Sequence, residues 1–227
     1  MNKKFRFYAS IVLKTEIIIC AAVGVLSSLG LGKGDFMSGM KALLYFTIQS
    51  NIWIAVVAAV GVVLMLSGKK PGRAWYIVKL VFTVAITLTG VVFCFVLAPT
   101  IGKEAWRPNN LLTHVFVPLS AVLDLFYEGG CEKLEKKNAV WAILPPLYYL
   151  VFASVGYVCN WDFGGGNNYP YFFMNWGSPA GAFGFCRELP FMGVVWWVIL
   201  LLCFLVCCGS LYIALAKPVE YCFTKEY

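Results

Sequence analysis

Apolar residues in this chain run on for about 20 positions at a time, and short polar clusters separate the runs. Each run is long enough to cross roughly 30 Å of hydrocarbon as a helix. Six are read, at about 7–30, 42–66, 74–98, 109–127, 139–159 and 191–216. The breaks carry turn chemistry: Gly30-Leu-Gly-Lys-Gly34, Ser67-Gly-Lys-Lys-Pro-Gly72, the stretch from Pro99 to Pro108, and Gly129-Gly130. A barrel would alternate apolar with polar positions, which these runs do not do. The expected fold is an all-α polytopic membrane protein, a six-transmembrane-helix bundle forming one domain over 1–227.

The polar positions inside the runs are the exceptions to explain, because a polar group in hydrocarbon costs free energy unless it has a partner or a task. Thr47, Ser50 and Asn51 stand at i, i+3 and i+4, one stripe of a helix. Asn110, Thr113 and His114, the only histidine, repeat that spacing. These two stripes are expected to face each other. Lys14, Lys79 and Asp124 fall near the inner boundary of their spans, with Glu16 slightly deeper, where snorkelling or mutual pairing accommodates them.

Composition agrees with the pattern: 61% hydrophobic, 13% charged and a mean hydropathy of +0.79 exclude a soluble domain. The formal charge of +7 would suit nucleic acid, but the basic residues lie in short clusters between spans, so no nucleic-acid partner is expected. Eleven Lys and Arg fall on the side of the N-terminus, and five (Lys33, Lys41, Lys103, Arg107 and Arg187) fall on the other. The positive-inside rule then makes both termini cytoplasmic and puts Thr47 and His114 at a shared depth below the outer surface. Lys14 and Glu16 interrupt the first apolar run and no cleavage site follows, so the first span is read as retained. Five of the nine cysteines sit in apolar spans and no C-x-x-C pair occurs, so no metal and no cofactor is expected. Cys159 and Cys186 would form a disulfide if the outer compartment is oxidising and their distance allows.

A threonine hydroxyl needs a base to become a nucleophile, and histidine is the usual one. Thr47 as nucleophile and His114 as base would need oxyanion or substrate-binding donors, for which Asn51, Ser50, Asn110 and Gln49 are the candidates. Such a site would suit acyl transfer on a lipid ester entering from the bilayer. The structural alternative has Thr47 bonded back to the Leu43 carbonyl, with Ser50, Asn51 and His114 only holding helices together. The outer loop 160–190 holds nine aromatics and six glycines. It is read either as an aromatic belt or as a lid, in which Tyr169, Tyr171 and Asn175 would cover the site and Gly164-Gly-Gly166 would allow motion.

Tyr45-Phe-Thr-Ile-Gln-Ser-Asn51, His114-Val-Phe-Val-Pro-Leu119 with Asp124, and Tyr169-Pro-Tyr-Phe-Phe-Met-Asn175 resemble three motifs of the bacterial branch of the androgen-induced-gene and androgen-dependent TFPI-regulating protein family. The resemblance implies six spans with both termini cytoplasmic, in a bacterial cytoplasmic membrane. Animal members hydrolyse fatty acid esters of hydroxy fatty acids through an intramembrane threonine and histidine, roles that fall here on Thr47 and His114. The stretch between the two is shorter than in the animal members, and the sequence around each follows the bacterial form, so the particular ester does not carry over. The expected partners are membrane lipids and a lipid ester substrate. The competing expectations are a transporter or channel and a non-catalytic lipid-binding membrane protein.

Overall fold

The computed structural model describes residues 2–30, 39–216 and 218–222. Lys33, Lys217 and Lys225 of the charge count, and residues 31–34 of the first turn, lie outside the described residues. Six helices form the fold: α1 (Lys3–Gly30), α2 (Phe46–Ser67), α3 (Arg73–Trp106), α4 (Pro108–Glu128), α5 (Lys136–Val158) and α6 (Val194–Ala216). Among the described residues these are the helices long and apolar enough to cross a membrane, and the only β pairing is the isolated bridges Gly164–Asn167 and Phe185–Met192. Large apolar side chains such as Val63, Leu66, Val151 and Leu211 cover the outside of the bundle, as a lipid-facing surface requires. α3 is the central helix: 61% of its apolar stretch is buried, against 22% for α6.

Among the boundaries that differ from the sequence pattern are the start of α2 and the end of α3. A 3₁₀ turn over Gly39–Leu44 precedes α2, which begins at Phe46, because Tyr45 is pulled into the core and its hydroxyl donates to the Phe163 carbonyl at 2.5 Å. α3 does not end at Pro99 but stays helical to Trp106. The reason is local. Proline lacks an N–H and its ring clashes with the carbonyl four residues back, so the turn before it opens. Phe93–Leu97 is a π turn closed by Ala98 N–H donating to Phe93 O, and Pro99 follows it directly. α4 repeats this at Leu112–Phe116, where Val117 N–H donates to Leu112 O ahead of Pro118. In α5 the Pro145-Pro146 pair marks the change from a 3₁₀ segment (Lys136–Ile143) to α-helix (Leu144–Val158).

The bundle is polar at both ends of its interior and apolar between. At the end holding the N-terminus, Lys14 Nζ lies 2.6 Å from Asp124 and 2.5 Å from Glu128, and Lys79 Nζ lies 2.8 Å and 2.5 Å from the same carboxylates. All four side chains are buried, and Ser10 adds a 2.5 Å hydrogen bond to Asp124. Mutual pairing, not snorkelling, therefore accommodates Lys14, Lys79 and Asp124, and the fourth member, Glu128, was not expected. The pairing ties α1, α3 and α4 together. Midway along the bundle Ile17, Ala21, Ile54, Ala58, Ile86, Val117 and Ala121 pack into one buried cluster drawn from α1 to α4. Beyond this layer lie Thr47 and His114.

Candidate active site

Thr47 is the second residue of α2, in the turn whose N–H groups have no intrahelical acceptor. The Thr47 N–H donates to the Tyr171 hydroxyl at 3.4 Å, and Thr47 Oγ1 lies 3.5 Å from the same oxygen. The Leu43 carbonyl, to which Thr47 would bond back in the structural alternative, instead accepts Gln49 Nε2 at 3.0 Å. The threonine hydroxyl thus points at a tyrosine from the long loop and at a cavity.

His114 sits inside the π turn of α4, and its ring stacks on Phe93 from the π turn of α3, with centroids 3.8 Å apart. Nδ1 is 3.0 Å from the Asn110 carbonyl and 2.9 Å from Thr113 Oγ1. A carbonyl only accepts, so Nδ1 carries the proton and Nε2 is left as the unprotonated nitrogen. His114 lines the cavity with Nε2 as its unprotonated nitrogen. This is the tautomer a general base needs.

Thr47 and His114 line the same cavity, of about 750 Å³. The two polar stripes do face each other: Asn51 Nδ2 donates to the Thr113 carbonyl at 3.1 Å, from α2 to α4. Small residues permit this approach. A Cβ added at Gly24 of α1 would meet Thr113 Cγ2 at 2.4 Å, and one at Gly90 of α3 would meet the His114 carbonyl at 2.8 Å. The histidine turn is therefore gripped from two sides. The cavity opens where exposed residues between Thr100 and Pro108 form its rim, with Glu104 paired to Arg107.

The other predicted site residues divide. Asn110 lines the cavity, and its Nδ2 donates to the Ala105 carbonyl at 3.0 Å. Asn51 is committed by both its amide donations, to Thr47 O at 2.8 Å and Thr113 O at 3.1 Å, so it links helices and has no hydrogen left for an oxyanion. Ser50 bonds to Thr89 of α3 at 2.8 Å and to the Thr47 carbonyl at 3.0 Å. Neither Ser50 nor Gln49 reaches the cavity. In the loop, Tyr169 and Tyr171 line the cavity, whereas Asn175 closes a turn by accepting from Gly177 N–H at 3.0 Å.

The glycine run in the loop is folded into a tight turn. Gly164, Gly165 and Gly166 have φ of 135°, 61° and 79°, and Asp162 accepts the Gly164 N–H at 2.8 Å. Lys41 pairs with Asp162, and that ammonium holds the carboxyl below the usual carboxylate range. The run therefore anchors the loop beside Tyr45. Cys159 and Cys186 are both free thiols. Burial raises the Tyr171 phenol above its ordinary value, so it stays protonated and able to donate.

The fold and the site define a class: a bundle of six helices long and apolar enough to cross a membrane, with an internal cavity carrying a hydroxyl, an imidazole and a phenol. Comparison with known protein families, characterised proteins and solved structures gives no match.

Proposed function

We propose that the protein is an intramembrane hydrolase of fatty acyl esters, acting in the way its resemblance to the androgen-induced-gene and androgen-dependent TFPI-regulating family implies. The observation that carries this reading is that Thr47 and His114, whose Nδ1 is held by the Asn110 carbonyl, line one large cavity. Thr47 Oγ attacks the ester carbonyl carbon while its proton passes to His114 Nε2. The oxyanion that forms lies at the N-terminus of α2, where the Tyr171 hydroxyl and the Thr47 N–H can donate and the positive end of the helix dipole lies close. The C–O bond to the alcohol breaks and the alcohol leaves with the proton from Nε2. Water activated by the same nitrogen then releases the acid and regenerates the threonine. No cofactor enters this scheme.

In the proposed orientation both termini are cytoplasmic, the membrane is the bacterial cytoplasmic membrane, and the cavity faces outward. The buried apolar layer from Ile17 to Ala121 separates the cavity from the charged cluster, which favours hydrolysis over transport. The test uses purified protein and p-nitrophenyl esters. Thr47→Ala and His114→Ala should each lower kcat/KM by about 1000-fold or more with little change in melting temperature. Undiminished turnover by Thr47→Ala would overturn the proposal.

A further inference from the structure

Thr47 lies on a partition, because a second space begins on its other side. This narrower slot, of about 80 Å³, shares Thr47, Leu97 and Tyr171 with the large cavity. Its remaining walls come from Phe46 of α2, from α3, α5 and α6, and from the loop. The polar atoms along it are already engaged: Thr89 Oγ1 with Ser50 at 2.8 Å, and the Tyr149 hydroxyl donating to the Leu44 carbonyl at 2.9 Å. Away from its Thr47 and Tyr171 end, then, the slot offers only hydrocarbon.

The slot also reaches the outside of the bundle. α6 packs on the first half of α5, the 3₁₀ segment Lys136–Ile143, where a Cβ added at Gly209 would meet that of Ala139 at 3.2 Å. Past Pro145-Pro146 the two helices part. Leu147, Leu150, Trp197, Val198, Leu201 and Leu202 line the gap half-buried, so they edge an opening onto the surface that lipid would cover. The large cavity differs in kind, since Thr100, Glu104, Arg107, Asn109 and Asn110 give its wall polar groups.

We infer that the slot between the second half of α5 and the first half of α6 is an acyl-chain site: the chain slides in from the bilayer with its carbonyl at Thr47, and the alcohol portion occupies the large cavity. The inference rests on the reading of Thr47 as nucleophile. It makes slot length a determinant of acyl preference, and it sends the two products out by different routes, the acid to the bilayer and the alcohol through the rim.

A Val198→Trp variant fills the slot, and Ile199→Trp, on the exposed face of the same helix, is the control. With p-nitrophenyl esters from acetate to palmitate, V198W should keep acetate turnover within about twofold and lose about tenfold or more on palmitate, while I199W stays like wild type. Equal loss at every chain length, or no loss on palmitate, would overturn the inference. If the wild-type protein hydrolyses none of these esters, the catalytic reading fails by itself and the slot is still testable. A diazirine-bearing palmitate photolysed with wild-type protein in vesicles should label residues 147–150 and 197–202 and lose that labelling in V198W. Labelling spread evenly over the exposed outer faces would overturn the slot.

Discussion

Asn51 shows how one side chain can hold two helices at a fixed level. Both its amide hydrogens go to carbonyls, one on its own helix and one on α4, so removing the amide strips the Thr113 carbonyl of that partner in a buried setting. Asn51→Ala should cost about 1–3 kcal/mol, read as a lowered melting temperature in detergent, and should also depress turnover because Thr113 neighbours the proposed base, His114. Lys14 is a sharper case. Its ammonium serves two buried carboxylates, and Lys14→Met would leave Asp124 and Glu128 to share Lys79. A loss of about 3–5 kcal/mol in unfolding free energy is expected, with ester turnover by the folded fraction unchanged, since the apolar layer separates the cluster from the cavity. At this scale the sequence was informative where spacing decides. Thr47, Ser50 and Asn51 fall at i, i+3 and i+4, but which of them faces a cavity and which a neighbouring helix depends on that neighbour, and Ser50 and Asn51 turned out to be spent on helix contacts.

The prolines act at the scale of the helix. Pro118 and Pro99 each deny an α4 or α3 turn its usual hydrogen bond, and the wider turns that result bring Phe93 and His114 into a stack. Pro118→Ala would restore the N–H, favour a regular α-helix and rotate His114 away from the cavity. The expected outcome is equal or higher thermal stability together with a fall in kcat/KM of about tenfold or more, a combination that simple destabilisation does not produce. The sequence pattern could suggest a disturbance at Pro118. It gave no reason to pair it with Pro99, which reads as the end of a span, because a helix that continues past a proline does so through tertiary support. The close approaches at Gly24 and Gly90 were hidden for the same reason.

For the molecule as a whole, the proposed orientation turns the cavity to the outer side of the membrane. Cys159 supplies a native probe: it is exposed at the start of the long loop, whereas Cys131 and Cys222, at the opposite end of the bundle, are buried. A membrane-impermeant maleimide added to intact cells should modify Cys159, with modification located by peptide mass spectrometry. Reaction at Cys159 only after lysis would reverse the orientation. Runs of about 20 apolar residues determined by themselves that this chain forms six helices long and apolar enough to cross a membrane, because hydrocarbon leaves a backbone no other way to satisfy its hydrogen bonds within one segment. The same hydrophobic logic singled out Thr47 and His114 as the residues out of place. Only the tertiary structure decided that the two share a cavity, that Tyr171 stands beside the threonine, and that Lys14, Lys79, Asp124 and Glu128 neutralise one another. Those are relations between segments up to 124 residues apart in the chain, set by the packing of side-chain shapes on neighbouring helices, and no local pattern encodes them.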